Sequence, residues 1–141
     1  MDFNMVGPAL ALGLSCLGSA VGCGIAGMAS HGVMSRVEEG HGKFIGMSAA
    51  PSSQSIYGFI LMLLLQGSIN AGTLSALSGI GIGLSSGMAI MVSAIFQGRC
   101  AASGIQASAK QPAIFGKCFA AIGIVESFAL FAFVFALLIM G

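Results

Sequence analysis

Residues 118–141 read CFAAIGIVESFALFAFVFALLIMG. The stretch is apolar and phenylalanine-rich, and it is long enough to cross a bilayer, which takes about 20 residues of helix. One ionisable side chain stands inside it, Glu126. A carboxylate within a membrane span costs about 2.5–3.5 kcal/mol on insertion scales, so such a residue needs partners and a purpose. Glu126 is also the only acidic residue after Glu39. The other spans are therefore expected to serve its placement.

The surrounding chain has the same character. It has 141 residues, 57% of them hydrophobic and 6% charged, with a mean hydropathy of +1.02. Soluble domains carry about 25% charged residues, so the composition predicts an integral membrane protein. Net charge is +1 and no polybasic run occurs, which gives no basis for nucleic-acid binding. The opening segment MDFNMVGPALALGL has an acid and neither Lys nor Arg. A cleavable signal needs a basic leader, so the first apolar segment is expected to be a retained span. Cys16, Cys23, Cys100 and Cys118 form no CxxC pair, and no His or carboxylate accompanies them. They are expected to be small packing residues.

Charge spacing divides the chain. Phe3 to Ser35 has no Asp, Glu, Lys or Arg, and a polar segment, Arg36 to Lys43, follows. Phe44 to Gly98 is again uncharged for 55 residues, too long for one span, and splits near Asn70–Thr73 and Ser78–Gly79. A second polar segment holds Arg99, Lys110 and Lys117, with Gln111-Pro112 inside it. The expected fold is all-α: four transmembrane helices in two hairpins. The first hairpin is residues 1–72, with spans at about 5–34 and 48–71, and the second is 73–141, with spans at about 77–109 and 113–140. Strands of a β-barrel would alternate apolar and polar residues, and these runs do not. All Lys and Arg lie in the two polar segments, in or near the turns that join spans 1 and 2 and spans 3 and 4. The positive-inside rule then puts both hairpin loops in the cytoplasm and both termini outside.

The hairpins repeat each other. A shift of 72 residues aligns Ala29 with Ala101, Gly32 with Gly104, Gln54 with Glu126, Ser55 with Ser127 and Phe59 with Phe131. The repeat is parallel, whereas many alternating-access transporters use inverted repeats. Spans 1 and 3 are small-residue helices, with Gly18 and Gly22 at GxxxG spacing and Gly79, Gly81, Gly83 and Gly87 in the other. Such faces allow close backbone approach. Spans 2 and 4 are bulky. Thin helices alternating with thick ones suggest a curved assembly, with a generic glycine-rich membrane bundle as the alternative.

Helix is expected to run from span 3 past Arg99 to the turn at Gln111-Pro112, with Pro112 in the first turn of the next helix. Gln97 lies fourteen residues before Gln111, Glu126 fourteen after Pro112, and Gln54 fourteen after Gly40. The three side chains thus fall at one depth on three helices, with Ser53 beside them. Amide, hydroxyl and carboxylate oxygens are hard donors that suit small hard cations, and one negative charge matches a monovalent ion, since divalent ions usually take more than one carboxylate. Pro51 removes the helical bond to the Met47 carbonyl, so a freed or exposed carbonyl is a further candidate ligand, Ala50 among them. The plainer reading of either glutamine alone is interhelical hydrogen bonding. Arg99, two residues from Gln97, is expected to snorkel to the cytoplasmic interface from the opposite helix face.

Over nearly its whole length the chain resembles the proteolipids (c-ring, subunit K) of V-type rotary ATPases. The resemblance rests on the duplicated hairpins, on QSIYGF from Gln54 to Phe59, on Gln97-Gly98 with AASGIQ from Ala101 to Gln106, and on Val125-Glu126-Ser127. It implies a ring that rotates in the membrane, one ion per subunit on Glu126, a membrane stator that bears an arginine, surrounding lipid, central-stalk subunits, and ATP chemistry in other subunits rather than here. In sodium-transporting members the ligands match Glu126, Gln97, Gln54, Ser53 and the Ala50 carbonyl, and Tyr57 matches a residue that hydrogen-bonds the carboxylate. No tightly bound cofactor is implied. Ser53 stands where a Thr is also found. Both glutamines favour Na⁺ over H⁺ as the transported ion. Short loops suggest a prokaryotic cell membrane. The competing expectations are a small multi-span secondary transporter with Glu126 as its proton or substrate site, and a structural membrane protein.

Overall fold

Helix boundaries follow from local chemistry. The computed structural model describes residues 3–141; Met1 and Asp2, the first residues of the expected first hairpin, lie outside the described residues. Helix α1 spans Val6–Met34, with Pro8 in its first turn, where no backbone donor is needed. The chain then turns at Gly40, whose φ of 82° is open to glycine at no steric cost. Helix α2, His41–Ala49, starts before the expected residue 48 because His41–Lys43 join it as a polar first turn. At Pro51 it tightens into a single 3₁₀ turn, Ala50–Ser52, and continues as α3, Ser53–Asn70. Ser75 caps the next helix by accepting the Ser78 N–H at 3.1 Å. Helix α4, Ala76–Lys110, runs unbroken past Arg99 for 35 residues. A 3₁₀ turn at Pro112–Ile114 leads into α5, Phe115–Met140. The protein is thus an all-helical, multi-pass membrane protein whose four spans are Val6–Met34, His41–Asn70, Ala76–Lys110 and Pro112–Met140.

The spans form two layers. Helices α1 and α4 run parallel and meet backbone to backbone. A methyl group at Gly18 would lie 2.6 Å from the Met91 Cα, and one at Gly22 would strike the Ala94 carbonyl and, at 2.8 Å, Pro51. Gly7 likewise abuts Gly79, and Gly98 abuts Gly22. These pairings hold the two copies of the repeat side by side. Helix α3 lies antiparallel on α1, with Gly58 against Ser15 and Pro51 against Gly22, and α5 lies antiparallel on α4, with Gly104 against Cys118. Between α3 and α5 contact is sparser, Tyr57 against Phe133 with ring centroids 6.1 Å apart being one such contact. Bulky side chains of this second layer, among them Ile56, Phe59, Phe128, Phe131 and Phe135, stand exposed. All four cysteines are free, in keeping with packing roles.

Two apolar clusters result. One joins Ala11, Leu61, Leu65, Ile90 and Ala129; the other joins Ala26, Phe44, Met47, Ala101, Ile105 and Ile122. The polar layer lies between them. Because the α1–α4 contact is backbone on backbone, Gly22→Val is expected to lower the stability of the detergent-purified protein by about 3 kcal/mol or more. Gly67→Ala, where a methyl meets nothing within 4 Å, leaves it within about 0.5 kcal/mol. Unfolding titrations of the two variants measure the contrast.

Candidate functional site

The fourteen-residue spacings converge as helical geometry requires, since each helix rises about 1.5 Å per residue from its turn. Gln54 on α3 donates from Nε2 to Gln97 Oε1 on α4 at 2.6 Å. Gln97 Nε2 in turn donates to Glu126 Oε2 and to the Ile122 carbonyl on α5, both at 3.3 Å. On the other side of the carboxylate, Tyr57 Oη donates to Oε1 at 3.1 Å. Ser53 Oγ lies 3.2 Å from Gln54 Oε1 and 3.2 Å from the Ala50 carbonyl. A continuous chain therefore runs Ser53, Gln54, Gln97, Glu126, Tyr57. Both glutamines are 0% exposed, while Glu126 is half-buried. Hydrogen bonds to a charged acceptor contribute about 1.5–3 kcal/mol each, so two donors from two helices offset much of the cost of a carboxylate at this depth.

The Pro51 break corrects one expectation. The Met47 carbonyl is not freed, because the 3₁₀ turn brings the Ala50 N–H onto it. The Ala50 carbonyl accepts the Ser53 N–H and faces the Ser53 hydroxyl, so it joins the layer through Ser53. Arg99 is exposed, with its guanidinium over the Phe96 ring at 5.2 Å, away from the fully buried Gln97. Two residues along a helix is a rotation of about 200°, which puts the charge on the opposite face.

Two serines escaped the sequence reading. Ser93 Oγ donates to the Val125 carbonyl at 2.8 Å and fixes α5 one residue before Glu126. Its signal was its place four residues before Gln97, on the same face. Ser19, on α1, is buried, and its hydroxyl has no partner among the described residues. Among the described residues no three His, Cys, Asp or Glu side chains gather. The available donors are thus amide, hydroxyl, carbonyl and carboxylate oxygens, a set for a hard cation and not for a soft one.

Comparison with known proteins places these features in context. The chain matches the ATP synthase C-subunit family twice, over residues 6–65 and 80–139, once in each hairpin. It is 34% identical over 135 residues to the A-type ATP synthase subunit K of Methanocaldococcus jannaschii, a match covering 96% of this chain but 60% of that relative. It is also 34% identical over 146 residues to the V-type sodium ATPase subunit K of Enterococcus hirae, covering 99% of this chain and 91% of that protein. The chain thus spans under two thirds of the first relative and most of the second.

Gln97 holds the layer together, accepting from one hairpin and donating within the other. Gln97→Leu leaves the buried Gln54 amide and one carboxylate oxygen short of a partner, and is expected to cost about 1–3 kcal/mol of stability in unfolding titrations. Gln97→Glu, which keeps an acceptor for Gln54 but sets a second carboxylate beside Glu126, is expected to destabilise at neutral pH and recover on acidification.

Proposed function

Given that the chain belongs to the ATP synthase C-subunit family, we propose that it is the ion-carrying subunit of the membrane rotor of a V-type ATPase or ATP synthase. One observation carries this reading: a single carboxylate, half-buried on a bulky outer helix, is wired by hydrogen bonds to two fully buried amides on two other helices. Identical subunits form a ring, with the tight α1–α4 layer inside and the α3–α5 layer outside. Each subunit takes one ion at Glu126. Gln97, Gln54, Ser53 and the Ala50 carbonyl supply the neutral oxygens, and Tyr57 orients the carboxylate through its 3.1 Å hydrogen bond. The loaded site is neutral and passes through lipid; the unloaded carboxylate faces the stator and its arginine. Loading and unloading turn the ring against the stator and so couple ion flow to the central stalk. The subunit itself does no ATP chemistry.

Sodium is the favoured ion, because a proton needs only a buried carboxyl, whereas two buried amides and a hydroxyl at one depth can replace a hydration shell. A sodium ATPase subunit among the relatives supports the same choice. In the membrane the hairpin loops with Arg36, Lys43, Lys110 and Lys117 face the cytoplasm and both termini face outward, and the short loops favour a prokaryotic cell membrane. The hairpins, 1–72 and 73–141, act as one unit with a single carboxylate in the ion-carrying layer.

A hydrophobic carbodiimide is expected to modify Glu126 alone, and sodium to slow the reaction. Modification elsewhere would remove the site assignment, and modification of Glu126 indifferent to sodium would make the ion H⁺. Glu126→Gln is expected to abolish ion-coupled turnover of the complex while a large ring still assembles. Native mass of the detergent-extracted protein reads the ring directly; a monomer or dimer would favour a small secondary transporter.

A further inference from the structure

Ser19 lies on α1, 5% exposed, and its Oγ has no hydrogen-bond partner among the described residues. Several other serines in these helices bond back to the carbonyl four residues earlier, as Ser15 does to Ala11 and Ser108 to Gly104, each at 2.7 Å. That local bond is the usual refuge of a hydroxyl in an apolar helix, and Ser19 does not take it.

Its position is set by the α1–α3 register. Ser15 faces Gly58 and Gly22 faces Pro51. The helices are antiparallel, so Ser19, between Ser15 and Gly22, comes level with Gln54, between Pro51 and Gly58. Gln54 belongs to the buried stripe of α3 that includes Pro51, Gly58, Leu61 and Leu65. The orphan hydroxyl thus backs the end of the polar chain remote from Glu126.

The orientation of the amides shows what it is for. Gln97 turns its nitrogen toward Glu126, and its oxygen is taken by the Gln54 amide. A cation beside Glu126 requires the amide oxygens instead. When Gln97 turns its oxygen to the cation, Gln54 Nε2 loses its acceptor. When Gln54 also turns its oxygen inward, its NH₂ is sent back toward α1. A buried NH₂ with no acceptor is costly, and a hydroxyl with free lone pairs stands there.

We infer that Ser19 is a positioning residue, whose hydroxyl accepts a hydrogen bond from the Gln54 amide when the pocket holds its cation. The inference rests on the cation-carrying role proposed above. In the cation-free arrangement Ser19 is idle, so its loss affects one state only.

The test is carbodiimide labelling of Glu126 in the purified, assembled ring, with sodium chloride as the probe. In Ser19→Ala the sodium concentration giving half-protection is expected to rise about three- to tenfold, the worth of one buried hydrogen bond, while the pH dependence of labelling without sodium stays as in the parent. Ser19→Cys fills the same space with a poor acceptor and is expected to shift protection the same way. An unchanged sodium midpoint in Ser19→Ala overturns the role, and so does a parallel shift of the sodium and pH midpoints, which would mark mere packing. If the parent ring itself shows no sodium protection, the cation reading fails first and the role of Ser19 falls with it.

Discussion

The 2.6 Å hydrogen bond from Gln54 to Gln97 joins the first hairpin to the second between two fully buried side chains. An amide in apolar surroundings must find its partners within the protein, so this bond fixes how the hairpins meet. It exists only because α1 and α4 approach backbone to backbone. A side chain at Gly18, Gly22 or Gly98 would push the helices apart, and Gln54 would lose Gln97. Glycine content, often read as flexibility, here acts as a distance constraint. Helix α5 then follows, drawn in by Gln97 onto Glu126 and by Ser93 onto the Val125 carbonyl.

The same layer separates two apolar clusters, one on each side. Each cluster draws on both hairpins and excludes water above and below the carboxylate. Glu126 is half-buried, and its helix neighbours Ile124 and Phe128 are exposed. Partial exposure together with fixed partners suits the ion exchange proposed above, in which an ion leaves without the protein coming apart.

Much of this was legible in the sequence because helices are rulers. Equal spacing from three turns gave equal depth for Gln54, Gln97 and Glu126, and α4 runs through Arg99 because nothing from Ala101 to Lys110 strongly opposes helix. What could not be read depends on partners. The start of α2 at His41 reflects a polar turn that carries no apolar signal. Proline's missing donor pointed to a free Met47 carbonyl, but the tightened turn gave that carbonyl to Ala50. The direction of each amide, and the isolation of the Ser19 hydroxyl, follow from which atoms face them across the helix interface. No one-dimensional pattern encodes that.

Gln54 occupies in the first hairpin the place that Glu126 holds in the second, and this has a consequence for gearing. On the ion-carrying role proposed above, a rotor made of such double hairpins would load one ion where a ring of equal girth, built of single hairpins each with its own carboxylate, would load two. Fewer ions cross per revolution, and the work of that revolution is divided among fewer of them. Moving one charge against 100 mV takes about 2.3 kcal/mol. A rotor in this low gear can drive its ion against a steeper gradient than a fully charged ring, at the expense of flux, and the exchange of one carboxylate for one amide sets the ratio.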